Sequence, residues 1–489
     1  MLTIFLIFWP LFAALIVFAL KQQARTIALI ASVIELAVAL AVAFLFVPDD
    51  SVQFAINLPW IQSIGVSFNV GIDGISLLLV LLTTGLVPFI ILSSFGNTYQ
   101  SPQTFYGLIL LMQMALVGVF VSLDGFLFYL FWEMALIPIY FICLIWGGED
   151  RGRITLKFFI YTLAGSLVML IGLVYLYFHT SGTHTFEIQA LYEAGRRLTP
   201  FEQGILFWTF FVAFAIKMPV FPFHTWQPDT YTVSPVQGTM LLSAIMLKMG
   251  IYGVIRWLIP FVPLGVQAWG MTAIVLSVIG IVYASVIALM QKDFKRLIAY
   301  SSIAHVGLIS AGLFTLNKIG MQGAMIQMLS HGIVVFALFY VVEIISQRTK
   351  TRTISELGGI RLQAPILTTT FLVILLGSIA LPFTSGFVGE FLLINSLVQY
   401  QFAIGAVAGL TSILGAVYML RSFQQSMLGE KKVVTSTISD LTSQEKWVLY
   451  PIVVLIVVIG IYPTPLLKIS EAAVNNLLTI VSNYLALAK

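Results

Sequence analysis

Charge is what this sequence most conspicuously lacks: Asp, Glu, Lys and Arg make up only 9% of its 489 residues, against roughly 25% in an ordinary soluble domain. With 60% of the residues hydrophobic, a water-facing surface cannot be assembled at this length, so a soluble globule is excluded. Cysteine is nearly absent. The single thiol, Cys143, excludes an internal disulfide, a four-thiolate iron–sulfur cluster and any CxxC zinc or redox motif. No glycine-rich nucleotide-binding pattern follows a strand, and no flavin signature is present. The net charge of +4 is spread in small clusters between apolar runs, which is no footprint for nucleic acid.

What the sequence has instead is apolar runs long enough to cross about 30 Å of hydrocarbon. They fall near residues 2–20, 27–47, 75–95, 105–122, 125–146, 157–178, 205–219, 235–257, 266–290, 294–315, 320–346, 365–400, 404–428 and 447–466. The expected fold is therefore an all-α polytopic membrane protein of about 14 spans. The first run has no basic segment ahead of it and no small-residue cleavage site, so it reads as a retained helix and not a signal peptide.

Lys and Arg in the short loops sort by side. One side collects Lys21, Arg25, Arg151, Arg153, Lys157, Lys292, Lys295, Arg348, Arg352, Arg421 and Lys431; the other carries Arg196, Arg197, Arg256, Lys318, Lys468 and Lys489. The first side is expected to be the inner one, with both termini outside, in a bacterial inner membrane.

Two spans are interrupted, the seventh at Lys217-Met218-Pro219-Val220-Phe221-Pro222 and the twelfth at Leu381-Pro382-Phe383-Thr384-Ser385-Gly386. Proline frees backbone carbonyls that lipid cannot satisfy, so breaks at Pro219 and Pro382 must face protein or a water-filled cavity. Being five spans apart, the two run in opposite directions, as an inverted repeat of five helices requires. The expected division is residues 1–104 for the first three helices, 105–257 for the first repeat (helices 4–8), 258–430 for the second (helices 9–13), and 431–489 for the last helix and C-terminal segment.

Ionisable residues inside these runs are the candidate site, because a lone charge at a helix centre costs roughly 2.5–3.5 kcal/mol on insertion scales. Glu133, Lys217, Lys248 and Glu390 stand out. A static reading pairs two acids with two bases as packing glue, but glue favours arginine, which holds its proton. Both buried bases here are lysine, which burial can discharge and a nearby carboxylate can recharge. His305 and His331 suit a proton relay between them, or else a helix-to-helix hydrogen bond. His224 and Asp229 follow the first break and are possible access or accessory groups. Glu35 and Glu343 are buried candidates outside the main line, with Glu343 near enough in sequence to pair with Arg348. An axial-ligand role for His305 and His331 in a b-type haem cytochrome is a remote alternative.

Four stretches carry a family resemblance. They are Leu130-Phe131-Trp132-Glu133-Met134 with Pro138, Ile216-Lys217-Met218-Pro219 running on to Phe223-His224-Thr225-Trp226-Gln227-Pro228-Asp229, Leu247-Lys248-Met249-Gly250, and Lys292-Asp293-Phe294-Lys295-Arg296-Leu297-Ile298-Ala299-Tyr300-Ser301-Ser302. In that order they resemble the antiporter-like membrane subunits of respiratory complex I, the proton-translocating NADH:quinone oxidoreductase, over essentially the whole chain. A glutamate at Glu390, and a chain stopping soon after the fourteenth span, look like the M-type (chain 4) member.

The resemblance implies that Glu133 sets the protonation of Lys217, that Lys248 is the central relay bridged by His305 and His331, and that Glu390 delivers to the outer side. It implies L-like and N-like antiporter subunits as partners, with flavin and iron–sulfur clusters held elsewhere in the complex and no cofactor or metal in this chain. A subunit of a multisubunit Na+/H+ antiporter or of a membrane-bound hydrogenase shares these motifs and is the runner-up.

Overall fold

A computed structural model describes residues 1–487, so Lys489 and the last two residues of the 431–489 segment lie outside the described residues. The chain opens with α1 (Leu2–Ala19) and α2 (Ala24–Leu45), then turns back through an antiparallel hairpin, β1 (Gln53–Ile61) and β2 (Val66–Ile72). Gly65 makes the hairpin turn at φ 63°; a Cβ there would also meet the His184 carbonyl oxygen at 2.1 Å, so the position requires glycine on both counts.

Four long helices follow: α3 (Gly74–Ser93), α4 (Pro102–Val121), α5 (Gly125–Trp146) and α6 (Arg151–Phe178). Next come the short α7 (Ile188–Arg197), then α8 (Pro200–Lys217), α9 (Gln227–Val233) and α10 (Val236–Phe261). The second half holds α11 (Pro263–Leu289), α12 (Phe294–Leu313), α13 (Lys318–Thr349), α14 (Pro365–Ser378), α15 (Ser385–Tyr400), α16 (Phe402–Met427), α17 (Ser443–Ile461) and α18 (Thr464–Leu487).

Twelve of these are continuous helices long and apolar enough to cross a membrane. The remaining two predicted spans are the interrupted ones, α8–α9 and α14–α15, whose pieces are too short or too polar to qualify alone. Each break satisfies its freed backbone locally. At the end of α8 the Trp226 indole donates to the Ile216 carbonyl at 2.9 Å, and the Val220 amide reaches the Ala215 carbonyl at 2.9 Å. Between α14 and α15, Ala380 and Phe383 take positive φ values of 57° and 70°, a left-handed backbone that costs energy for any residue with a Cβ.

Burial does not follow apolarity among these helices. Within the membrane-crossing stretch of α10 every residue is buried, and 89% are in α12, whereas α2 and α17 reach only 33% and 28%. Yet α12 is the least apolar of the twelve, being studded with Ser301, Ser302, His305 and Ser310. Lipid tails accept apolar side chains as readily as a protein core does, so the polar helices collect in the middle, where they can bond to one another.

α10 is wound wider in two π-helical turns, Leu241–Met246 and Val254–Leu258. Such bulges leave carbonyls free for side chains. Arg256 in the second turn is largely buried and pairs with Asp73, which also caps α3 by accepting from the Ile75 and Ser76 amides. Arg256 is thus not the exposed outer-loop charge that the sequence suggests. Burial pushes the Asp73 carboxyl up, but the charge and hydrogen bond of the adjacent Arg256, together with the hydrogen bonds from Ser76, outweigh it and hold the group below the usual carboxylate range. The stabilisation is therefore complete at neutral pH and lost only as pH falls through that lowered value. Asp73→Ala leaves a buried guanidinium unpaired, an expected loss of about 3–5 kcal/mol plus about 1 kcal/mol for the cap, visible as a lower melting temperature of the assembled complex.

Four elements lie outside the predicted runs: the hairpin, α7, α9 and α18. The last runs across the ends of neighbouring helices, with Glu471 paired to Lys318 at 2.6 Å and the Tyr484 hydroxyl donating to the Arg196 carbonyl at 2.5 Å. Another correction concerns Arg348, which pairs with Glu445 of α17 at 2.5 Å instead of with Glu343; the latter accepts from Gln347 at 2.8 Å.

Candidate functional site: a line of ionisable groups

Lys248 lies in the turn just past the first π-helical segment of α10 and is fully buried. Its ammonium nitrogen donates to the Ser243 carbonyl, freed by that segment, at 2.9 Å, and stands 2.9 Å from His331 Nδ1 on α13. An ammonium can only donate, so the two nitrogens share a single proton between them: a charged Lys248 requires Nδ1 bare, and a protonated Nδ1 requires a neutral amine. On its far side, His331 Nε2 lies 3.0 Å from the Ser302 hydroxyl of α12.

His305, one turn further along α12, has its ring centroid 6.2 Å from that of His331. Its Nδ1 approaches Glu390 Oε1 of α15 to 2.8 Å, off the direction of a hydrogen bond, and Glu390 Oε2 accepts from Ser412 at 2.8 Å. Between the histidines lies a cavity of about 20 Å³, lined by Ser301, Ser302, Gln327, Ser330 and the ends of the α14–α15 break at Ser378 and Gly386. Ile298, Val334, Val335 and Leu338 also line it; at that size, with hydroxyls and imidazoles to bond, it has room for about one water molecule. Four predicted residues, Lys248, His331, His305 and Glu390, thus form one continuous line. Both nitrogens of His331 are engaged, by Lys248 and Ser302, which is not how an axial haem ligand stands. Among the described residues no group of three or more His, Cys, Asp and Glu is placed to hold a metal ion.

The other two predicted residues stand apart from this line. Lys217, at the last turn of α8, is buried with its ammonium 5.4 Å from the ring of Trp132 on α5, a cation–π distance. Glu133 is half-buried beside it in sequence, and its Oε1 is enclosed without a hydrogen-bond partner. No Glu133 oxygen lies within 4.0 Å of the Lys217 nitrogen, so the carboxylate and the ammonium are neighbours but not joined. Glycine brings the Lys248 segment onto the end of α8: a Cβ on Gly250 would lie 2.7 Å from the Phe214 carbonyl and 2.8 Å from the Met218 amide.

His224 is buried, its Nδ1 without a partner, stacked on Phe221 and edge-on to Tyr283 at centroid distances of 5.7 and 5.3 Å. Asp229 lies nearer the surface, between Arg296 at 2.9 Å and Lys157 at 3.5 Å. Glu35 is fully buried in α2 with neither oxygen bonded.

Sequence reading missed the groups that connect the charges. Lys295, counted by sequence among the loop cations, is buried and donates to the Ser234 carbonyl at 2.6 Å. It forms part of the wall of a polar cleft of about 1050 Å³, together with Tyr99, Glu343, Arg348 and Arg352. From Ser234 a series of donors bonds to backbone carbonyls along α10: the Thr239 hydroxyl to the Tyr231 carbonyl at 2.9 Å, the Ser243 hydroxyl to the Thr239 carbonyl at 2.7 Å, and Lys248 to the Ser243 carbonyl at 2.9 Å. The spacing 234, 239, 243, 248 contains two steps of five, which an ordinary α-helix turns to different faces, and Ser234 precedes α10, so nothing in the sequence sets these residues apart from ordinary serines and threonines bonding to their own helix.

The family model "NADH:quinone oxidoreductase/Mrp antiporter, TM" matches residues 122–415, the stretch that carries the whole line. Subunit M of the NADH-quinone oxidoreductase of Rickettsia prowazekii is 39% identical over 96% of this chain and 97% of its own. Among solved structures, a chain of respiratory complex I from Thermus thermophilus superposes with a TM-score of 0.88 at 28% identity, covering 98% of this chain and 100% of that one. A chain of the Mrp complex from Dietzia shares the fold, with a TM-score of 0.86 at 21% identity. With its buried line and these full-length similarities, the chain belongs to the NADH:quinone oxidoreductase/Mrp antiporter family, as an antiporter-like, proton-translocating subunit M of complex I.

Proposed function

We propose that Lys248, His331, His305 and Glu390 carry protons along the middle of the membrane, and that Glu133 and Lys217 set when they move. The observation that carries this is the 2.9 Å contact between Lys248 Nζ and His331 Nδ1, across which only one of the two can be protonated toward the other. When that proton passes to Nδ1, the imidazolium releases the one on Nε2 toward Ser302 and the cavity, and from there it reaches His305 and Glu390. Nothing in the line moves further than a side-chain rotation. Protons reach Lys248 from the side of the Lys295 cleft along the Ser234–Ser243 face, carried by water, because the hydroxyls there donate to backbone carbonyls and not to one another; His224 and Asp229, on the same side of the first break, are accessory to this access.

Glu133 acts on Lys217 through space. While the two are apart, as here, the ammonium rests on Trp132; closure of the pair holds the charge on Lys217 and repels a second positive charge from Lys248. Moving one charge against 100 mV takes about 2.3 kcal/mol, a sum that making or breaking one buried ion pair supplies. The two interrupted helices support a division into inverted repeats, residues 105–257 and 258–430, flanked by 1–104 and 431–489. The basic loops support an inner-side location for the Lys295 cleft, with both termini outside, in a bacterial inner membrane. NADH oxidation and quinone reduction, with their flavin and iron–sulfur clusters, belong to other subunits, and the apolar outer faces of α6 and α16 suit L-like and N-like neighbours.

The test is Glu390→Gln, which keeps shape and the Ser412 bond but cannot take up a proton. Membrane vesicles carrying the assembled variant should pump fewer protons per NADH oxidised than wild type, with a dye-reported pH gradient and NADH consumption measured together. An unchanged ratio would reduce the line to packing.

A further inference from the structure

Tyr418 of α16 lines one space and is hydrogen-bonded to Ser301, which lines another. On one side is the 20 Å³ cavity of the relay, lined by Ser301, Ser302 and His305. On the other is a pocket of about 370 Å³ that opens among Lys292, Arg421 and Gln425, on the side of the molecule rich in basic residues, and whose inner wall includes Leu297 and Tyr418 itself. Tyr418 is 2% exposed. Its hydroxyl donates to Ser301 Oγ at 3.0 Å, fastening α16 to α12 and a wall of the pocket to a wall of the relay cavity. A tyrosine ring edged by one hydrogen bond is a small barrier: a single rotation about its side-chain bonds opens it, and losing a hydrogen bond shifts such an equilibrium about fivefold.

We propose that Tyr418 is a gate between the relay and a second aqueous approach, from the same basic side as the Lys295 cleft. Closed on Ser301, it keeps His305 and Glu390 from exchanging protons with that side, so that a proton arriving at Glu390 leaves only by the opposite face. The inference rests on the proton-line reading above and assigns that line a valve. Proton carriers alone do not pump, since a group open to both sides at once short-circuits the membrane; a closable barrier beside the terminal carboxyl is what makes the transfer one-way. The groups facing Tyr418 are suited to this. Ser301 supplies a catch without a charge, and the pocket beyond it carries Lys292 and Arg421, whose positive charge discourages a proton from entering while the catch holds.

Vesicles holding the intact complex are given an imposed pH gradient with no electron donor, and its decay is followed by a pH-sensitive dye. Tyr418→Phe keeps the ring but removes the catch, and should accelerate decay about fivefold, the expected effect of one lost hydrogen bond; Ser301→Ala should do the same. Tyr418→Ala, which removes the barrier, should leak faster still. Combining Tyr418→Phe with Glu390→Gln should restore the slow decay, because the leak runs through that carboxyl, whereas a leak from loosened packing would persist in the double variant and overturn the proposal. Wild-type decay in both Tyr418→Phe and Ser301→Ala also overturns it. If Glu390→Gln alone leaves pumping intact, the proton line itself has failed; if it stops pumping while Tyr418→Phe holds the gradient, only the gate has.

Discussion

Lys248→Met should abolish coupled proton transfer in a complex that still assembles. Methionine fills the volume of the lysine stem and matches its apolar surroundings, so packing survives. What disappears is the nitrogen that shares a proton with His331 and the donor to the Ser243 carbonyl. Without a carrier at that point the approach along α10 ends short of the histidines. Turnover that must move a charge against 100 mV loses its path, and a barrier of even that size, about 2.3 kcal/mol, slows it roughly fifty-fold. Lys248→Arg provides the sharper discrimination. Arginine keeps the charge and all the hydrogen-bonding capacity but does not surrender its proton, so it should fail as completely as methionine. If arginine restores proton pumping, measured as protons moved per NADH oxidised, the residue is a fixed cation and not a carrier.

The second large effect concerns the separated pair. Glu133→Gln removes the only acid proposed to act on Lys217 while leaving its shape. Since closing one buried pair against a single opposite charge shifts a proton equilibrium by about one to three pH units, roughly tenfold to a thousandfold, coupled turnover should fall about tenfold or more. Lys217→Met should reproduce that loss, and the double variant should be no worse than either single one, because both changes delete the same interaction. Additive losses in this cycle would mean that the two residues act independently, and the switching role would fall. Trp132 supplies a control. Trp132→Phe weakens the face on which the ammonium rests, so it should favour closure and leave turnover far less affected.

How much of this was written in the sequence is clear residue by residue. Fourteen apolar runs correspond to twelve continuous helices and two interrupted ones, because crossing hydrocarbon needs a length of apolar chain that composition records directly. Pro219 and Pro382 marked both interruptions, since a missing amide is a property of the residue itself. Glu133, Lys217, Lys248, His305, His331 and Glu390 stood out for the same reason: an ionisable group in an apolar run is costly wherever the helix lies. Lys295 did not stand out, because at a helix start a buried lysine and a loop lysine look alike. Nor did Arg256, whose burial depends on Asp73, 183 positions away in sequence.

Sequence by itself, then, determined that this is a membrane-spanning bundle, where its two breaks fall and six of its interior ionisable residues, since each follows from what a residue costs in lipid. Only tertiary structure decided which of those residues touch: that Lys248 shares a proton with His331 while Lys217 and Glu133 stand open, and that Ser302, Ser301 and Tyr418 fill the gaps. Those facts depend on how α10, α12, α13, α15 and α16 are rotated against one another. That rotation is set by glycine approaches, π-helical turns and buried hydrogen bonds summed across the whole bundle, and no local stretch of sequence contains the sum.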